Sequence, residues 1–422
     1  MNEILSFWAQ WLRPSAGLPT VQWSLLLAVA TVAGYVCQRH IGLPKVVGYS
    51  LVGTVAGLAG FSGVLWPLQG IGLFLLELGI SLILFECGGR IPLRWFRHNP
   101  MVLVQSVLES ALTFFAVYWV LLWLGVPERA AGPLAVVAMA ASPAVLTRVV
   151  SDTRAAGPVT ERSIVLATLS TLYALTLGSA HAERISDGAL NFMDTVYPVM
   201  VVLGVSVVVA AVLALALRMA LRFMSPASEN TSILLLALIA AGTTVGSHMG
   251  GSAPLAALLG GMLLKQLSPR PWGWPRQLGT ASSLLTMLMF VLVSTVAAQA
   301  DWSGRVAGLV LALIGVRLLA KVVGVALGNV GSGASWRQSL WVGAAMTPMS
   351  SIALLLASQF AIGSPSTGQL IASVALPAIL LMEVLGAVIA TLAIYRAGES
   401  SRPLAPLIAP ATTGPAGDRR AP

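Results

Sequence analysis

The chain has 422 residues, of which 57% are hydrophobic and only 9% charged. Soluble domains carry roughly 25% charged residues, and with a mean hydropathy of +0.87 this composition makes lipid the solvent. The net charge of +9 therefore does not point to nucleic acid: no aromatic-interleaved basic patch is present, and the Lys and Arg residues collect in gaps between apolar runs.

Taking roughly 20 apolar residues per crossing, the sequence predicts an all-α polytopic membrane protein of about thirteen transmembrane helices. In chain order they lie near residues 21–36, 46–61, 68–89, 101–124, 133–150, 163–179, 195–217, 231–247, 253–264, 278–298, 306–327, 340–360 and 370–395. With the N-terminus outside, Arg13, Arg129, Arg184 and Arg305 fall in outer loops. All the other basic residues fall inside, except Arg317 and Lys321. The excess of inner Lys and Arg puts the C-terminus in the cytoplasm. Residues 1–20 read as an N-terminal segment without a signal-peptide cleavage pattern, residues 21–396 as the membrane domain, and the Pro-rich stretch 397–422 as a disordered cytoplasmic tail. Cys37 and Cys87, near inner helix ends, are expected to stay unpaired in a reducing cytoplasm. The four histidines are scattered, so no metal centre, cofactor or enzyme site is expected.

Two of the runs are interrupted. The fifth contains Ala141-Ser142-Pro143 and the twelfth Thr347-Pro348-Met349-Ser350-Ser351. A proline removes a backbone donor and frees a carbonyl, which in a bilayer must be met by protein, water or an ion. Breaks at matching places in two halves of a chain are the mark of transporters built from two inverted repeats, whose discontinuous helices cross at the midplane and form the substrate site. A pair of plain proline kinks is the alternative. Ionisable residues inside apolar runs are costly and accordingly informative. Arg317 and Lys321, four apart, share one helix face; Glu77, Glu109 and Glu383 lie in three other runs. Glu109 is read either as an ion-binding acid or as a packing acid bonded to a neighbouring Arg. Glu77 reads as a helix tie and Glu383 as a structural acid on an exposed backbone group. Glu86 is expected to pair with Arg90 or Arg94.

Several stretches, in this order, resemble the monovalent cation:proton antiporters, the branch with bacterial sodium/proton exchangers and potassium efflux transporters. They are Gly42-Leu43-Pro44-Lys45-Val46-Val47-Gly48-Tyr49, Glu77-Leu78-Gly79-Ile80, Ser142-Pro143-Ala144-Val145, Ala156-Gly157-Pro158-Val159-Thr160, Leu259-Gly260-Gly261 and Glu383-Val384-Leu385-Gly386. The resemblance implies a secondary transporter exchanging a small inorganic ion for protons, as a homodimer in a bacterial inner membrane. Together the breaks and the resemblance place the transport site at Ser142, Pro143, Ser170, Thr171, Arg317, Lys321, Thr347 and Pro348, and the acids inside apolar runs offer Glu109, or Glu77, for proton coupling. One departure stands out. Where the family carries an acidic pair whose Asp binds cation and proton by turns, this chain has Ser170-Thr171, and a hydroxyl does not titrate near neutral pH. Lys321 matches the basic residue that faces this Asp, so it would be left without that acid, and Lys321→Ala is then expected to be tolerated for folding. Two further readings follow from the departure: a transport-inactive membrane scaffold or regulator, and a transporter of an anion drawn to unopposed Arg317 and Lys321.

Overall fold

In a computed structural model of the chain, the described residues are 21–60, 70–91, 93, 96, 99–184, 192–225, 228–268, 276–300, 304–349, 351–363 and 365–401. The expectations for residues 1–20, for most of the 90–100 loop and for the tail from 402 lie outside them.

The described residues form helices: α1 (Val21–Val36), continued by a π turn at Cys37–Ile41, α2 (Lys45–Leu58), α3 (Gly70–Arg90), α4 (Pro100–Trp123), α5 (Glu128–Met139), α6 (Pro143–Thr153), α7 (Pro158–Arg184), α8 (Phe192–Phe223), α9 (Glu229–His248), α10 (Ala253–Leu267), α11 (Arg276–Ala297), α12 (Gly304–Leu327), α13 (Trp336–Ala345), α14 (Ser351–Gly363) and α15 (Pro365–Arg396). Among them, nine spans are long and apolar enough to cross a membrane, the α5–α6 stretch counting as one, and four more helices are apolar but shorter. The protein is thus an all-helical, multi-pass membrane protein.

Local chemistry sets the helix ends. Gly42 closes the π turn in the left-handed region at φ 76°, where a Cβ would be strained. Pro100 opens α4 at its first turn, where its missing N–H costs nothing. Ser335 and Gln338 form a reciprocal capping box at the start of α13. At the start of α7, Glu399 accepts from the Val159 N–H at 2.8 Å and from the Thr160 N–H and hydroxyl, each at 2.7 Å, a carboxylate at the positive end of a helix. The chain past Arg396 is tied to the membrane unit at least as far as Glu399, beyond the expected domain end at residue 396.

Apolar faces have little to gain from one another in lipid, so close packing of small residues takes over the role of cohesion. α3 meets α10 backbone to backbone through Gly88 and Gly261, and α2 meets α11 through Gly53 and Gly57. Ser294 of α11 donates to Glu383 of α15 at 2.8 Å, both fully buried. In each half of the chain a continuous helix, a broken helix and a second continuous helix follow one another: α4, α5–α6, α7 and then α12, α13–α14, α15. At the contact of α4 with α12, a Cβ on Gly324 would stand 2.6 Å from the Glu109 Cα. That neighbour is backbone and cannot move aside. Gly324→Ala is therefore expected to force the two helices apart at the cost of overpacking, about 1–3 kcal/mol, read as a lowered unfolding temperature in detergent. An unchanged temperature would contradict this packing.

Candidate ion site at the crossed helix breaks

α5 stops at Met139 because Ala140 turns to extended backbone (φ −60°, ψ 128°). Ser142 is extended as well (φ −110°, ψ 93°), and its hydroxyl caps α6 by accepting from the Val145 N–H at 3.3 Å, with Pro143 at the next position. The second break separates α13 from α14, with Thr347, Pro348 and Met349 outside helix. The two breaks touch: the Ser142 N–H donates to the Pro348 carbonyl at 3.0 Å.

The freed carbonyls meet two cations. Arg317, wholly buried, donates from Nε to Ala138 O at 2.8 Å, from Nη1 to Thr347 O at 2.5 Å, and from Nη2 to Ala140 O at 3.0 Å and Pro348 O at 3.3 Å. One guanidinium fork thereby spans both breaks, using the multiple fixed donors that distinguish Arg from Lys. One turn along α12, Lys321 Nζ lies 2.5 Å from Glu109 Oε1 and donates to Met139 O at 3.1 Å. Both members of this ion pair are wholly buried. Ser110 Oγ and Thr113 Oγ1 donate to the same carboxylate at 3.2 and 3.3 Å. From α7, Ser170 Oγ donates to Met139 O at 2.7 Å and Thr171 Oγ1 to Ala141 O at 3.0 Å.

α5 and α13 point their C-terminal ends at this cluster, each equivalent to about half a negative charge, and α6 and α14 start there with ends of about half a positive charge each; the helix ends cancel, which leaves Glu109 to pair with Lys321 and the break carbonyls to hold Arg317. Two polar atoms at the second break stay open: Thr347 Oγ1 and Ser351 Oγ are buried without a hydrogen-bond partner. An unmet buried hydroxyl is a ready oxygen ligand.

The structure thus brings together Ser142, Pro143, Ser170, Thr171, Arg317, Lys321, Thr347, Pro348 and Glu109. Glu77 does not join them: it is half-buried on α3 and makes no hydrogen bond or ion pair among the described residues, so it ties no helix there. Three expectations change. Lys321 has its acid, supplied by α4 instead of α7, so the premise that Lys321→Ala relieves an unpaired charge fails. For the same reason Arg317 and Lys321 are not unopposed, and the argument for an anion at this site loses its basis. Glu109 is bonded to a Lys and not to a neighbouring Arg. Sequence reasoning named Ser351 in the second break without giving it a role, and passed over Ser110 and Thr113, although hydroxyls one and four positions after a buried acid were a readable signal.

Broken helices crossing inside a lipid-soluble bundle, with an ion pair at the crossing, are the architecture of the secondary antiporters. The model of the sodium/hydrogen exchanger transmembrane family matches residues 27–395, and the chain belongs to that family, whose members exchange cations for protons. Two structures of the sodium proton antiporter MjNhaP1 from Methanocaldococcus jannaschii are similar in fold. The one at pH 8 has a TM-score of 0.66 at 15% identity over 88% of this chain and 97% of that one. The electron-microscopy map has a TM-score of 0.70 at 16% identity over 90% and 97%. No curated protein sequence matches the chain significantly.

Proposed function

We propose that the protein exchanges a monovalent cation for a proton, with Glu109 as the carboxylate that the cation occupies and Lys321 as the group that holds the carboxylate when the cation is absent. The wholly buried Glu109–Lys321 pair beside the crossed breaks is the observation that carries this reading. A partly dehydrated cation needs oxygen ligands, and Glu109, Thr347 Oγ1 and Ser351 Oγ are the candidates. Its arrival at Glu109 takes away the partner of Lys321, and an ammonium left alone in a low-dielectric core is expensive enough to shed its proton. Uptake of one positive charge then goes with release of another. Ser170 and Thr171, engaged with the carbonyls of the first break, act on the geometry of that break and not on the proton. The same reading keeps the sequence-based placement in the cell membrane with a cytoplasmic C-terminus, as a homodimer.

The test is flux. In proteoliposomes with a trapped pH-sensitive dye, an inward gradient of Na⁺, K⁺ or Li⁺ is expected to alkalinise the lumen, and gradients of small anions at matched ionic strength are expected to leave it unchanged. No response to any cation would favour the second reading, a transport-inactive scaffold, which draws support from Arg317 filling the carbonyls of both breaks.

A further inference from the structure

A cavity of about 110 Å³ opens between α3, α6 and α11. Its wall on α6 begins at Ala144, two residues past the first break, and the mouth carries two guanidinium groups. Arg148 of α6 donates from Nη2 to Thr286 Oγ1 of α11 at 3.2 Å, which leaves its other N–H donors for whatever fills the space. Arg90 of α3 is paired with Glu86 at 2.6 Å. Among the described residues Glu86 is the single carboxylate in the lining, so the lining gives Arg148 no acid of its own. Asp152, one turn along α6 from Arg148, lies outside the lining and accepts from Gln38 Nε2 at 3.0 Å and from the Lys45 N–H at 2.9 Å. A second observation is independent of charge. Ser282 lines the cavity, is 4% exposed, and its hydroxyl has no hydrogen-bond partner among the described residues.

We propose that this cavity is a binding site for a phosphate-class oxyanion, presented on a phospholipid headgroup or as free phosphate. The planar fork of Arg148 matches two phosphate oxygens at once, and the Ser282 hydroxyl supplies a third donor at the buried end. The space accommodates a tetrahedral oxyanion with ordered water. On the positive-inside orientation the mouth faces the leaflet that is rich in anionic headgroups. An oxyanion seated there bridges α6, the inner half of the first broken helix, to α3 and α11. It would tie the moving part of the crossing to its surroundings. This site is distinct from the Glu109–Lys321 pair, and the proposal does not depend on what is transported.

The test uses the full chain purified and delipidated in detergent. Inorganic phosphate, titrated against chloride at equal ionic strength, is expected to raise the unfolding temperature if free phosphate is the ligand. Native mass spectrometry after extraction from bilayers of phosphatidylcholine and phosphatidylglycerol is expected to show retained phosphatidylglycerol if the headgroup is the ligand. Arg148→Gln is expected to weaken whichever response occurs by about ten-fold or more, the value of a lost charge-assisted hydrogen bond. Ser282→Val, which removes only the donor, is expected to weaken it several-fold, and Arg129→Gln, at the opposite end of the bundle, to leave it intact. Absence of both responses in the unaltered protein would overturn the proposal. So would responses that survive both Arg148→Gln and Ser282→Val.

Discussion

Replacing Lys321 with alanine is expected to destabilise the protein by about 3–5 kcal/mol, because it leaves the Glu109 carboxylate buried without its counter-charge. The loss should appear as a large drop in unfolding temperature, or as failure to accumulate in the membrane. The double variant Glu109→Leu with Lys321→Met makes the expectation specific. Removing both charges together leaves neither stranded, so stability should return close to that of the unaltered protein. The four measurements form a double-mutant cycle, and a coupling energy near zero would show that the two groups do not rely on each other.

Arg317→Ala should be the more damaging change to the architecture. It leaves the carbonyls of Ala138, Ala140, Thr347 and Pro348 without the guanidinium, and each unmet buried acceptor costs about 1–3 kcal/mol. Water entering the enlarged space recovers part of that cost. Arg317→Lys keeps the charge but cannot reach both breaks with one fork, so it should lie between the two. An unfolding temperature for Arg317→Ala within a degree or two of the unaltered protein would show that the breaks are held by other contacts, such as the Ser142 N–H to Pro348 carbonyl bond.

The breaks were legible because proline and small polar residues in an apolar run have a local meaning: Ser142-Pro143 and Thr347-Pro348 announce freed carbonyls whatever surrounds them. The four-residue spacing of Arg317 and Lys321 was legible for the same reason. The partner of Lys321 was not. The expectation looked for an acid on the helix now called α7, where Thr171 stands, while the acid comes from α4. The close approach of Gly324 to the Glu109 backbone, and of Gly328 to that of Gln105, brings those two helices near enough for the pair to form. Nothing local in either helix names the other. The role of Glu399 was hidden likewise, since a carboxylate past the last apolar run reads as a solvated tail until the chain is seen to return to the start of α7.

Cation-driven proton flux through Glu109→Gln tests the exchange site most directly. The substitution keeps the size and hydrogen-bonding capacity of the side chain and removes its charge. In proteoliposomes loaded with a pH-sensitive dye, and with folding verified by the amount of monodisperse protein reconstituted, Glu109→Gln should abolish the lumenal alkalinisation driven by an inward cation gradient. Glu77→Gln, on a residue outside the cluster, should preserve it. Flux through Glu109→Gln equal to that of the unaltered protein would contradict the assignment of Glu109 and Lys321 as the exchange pair.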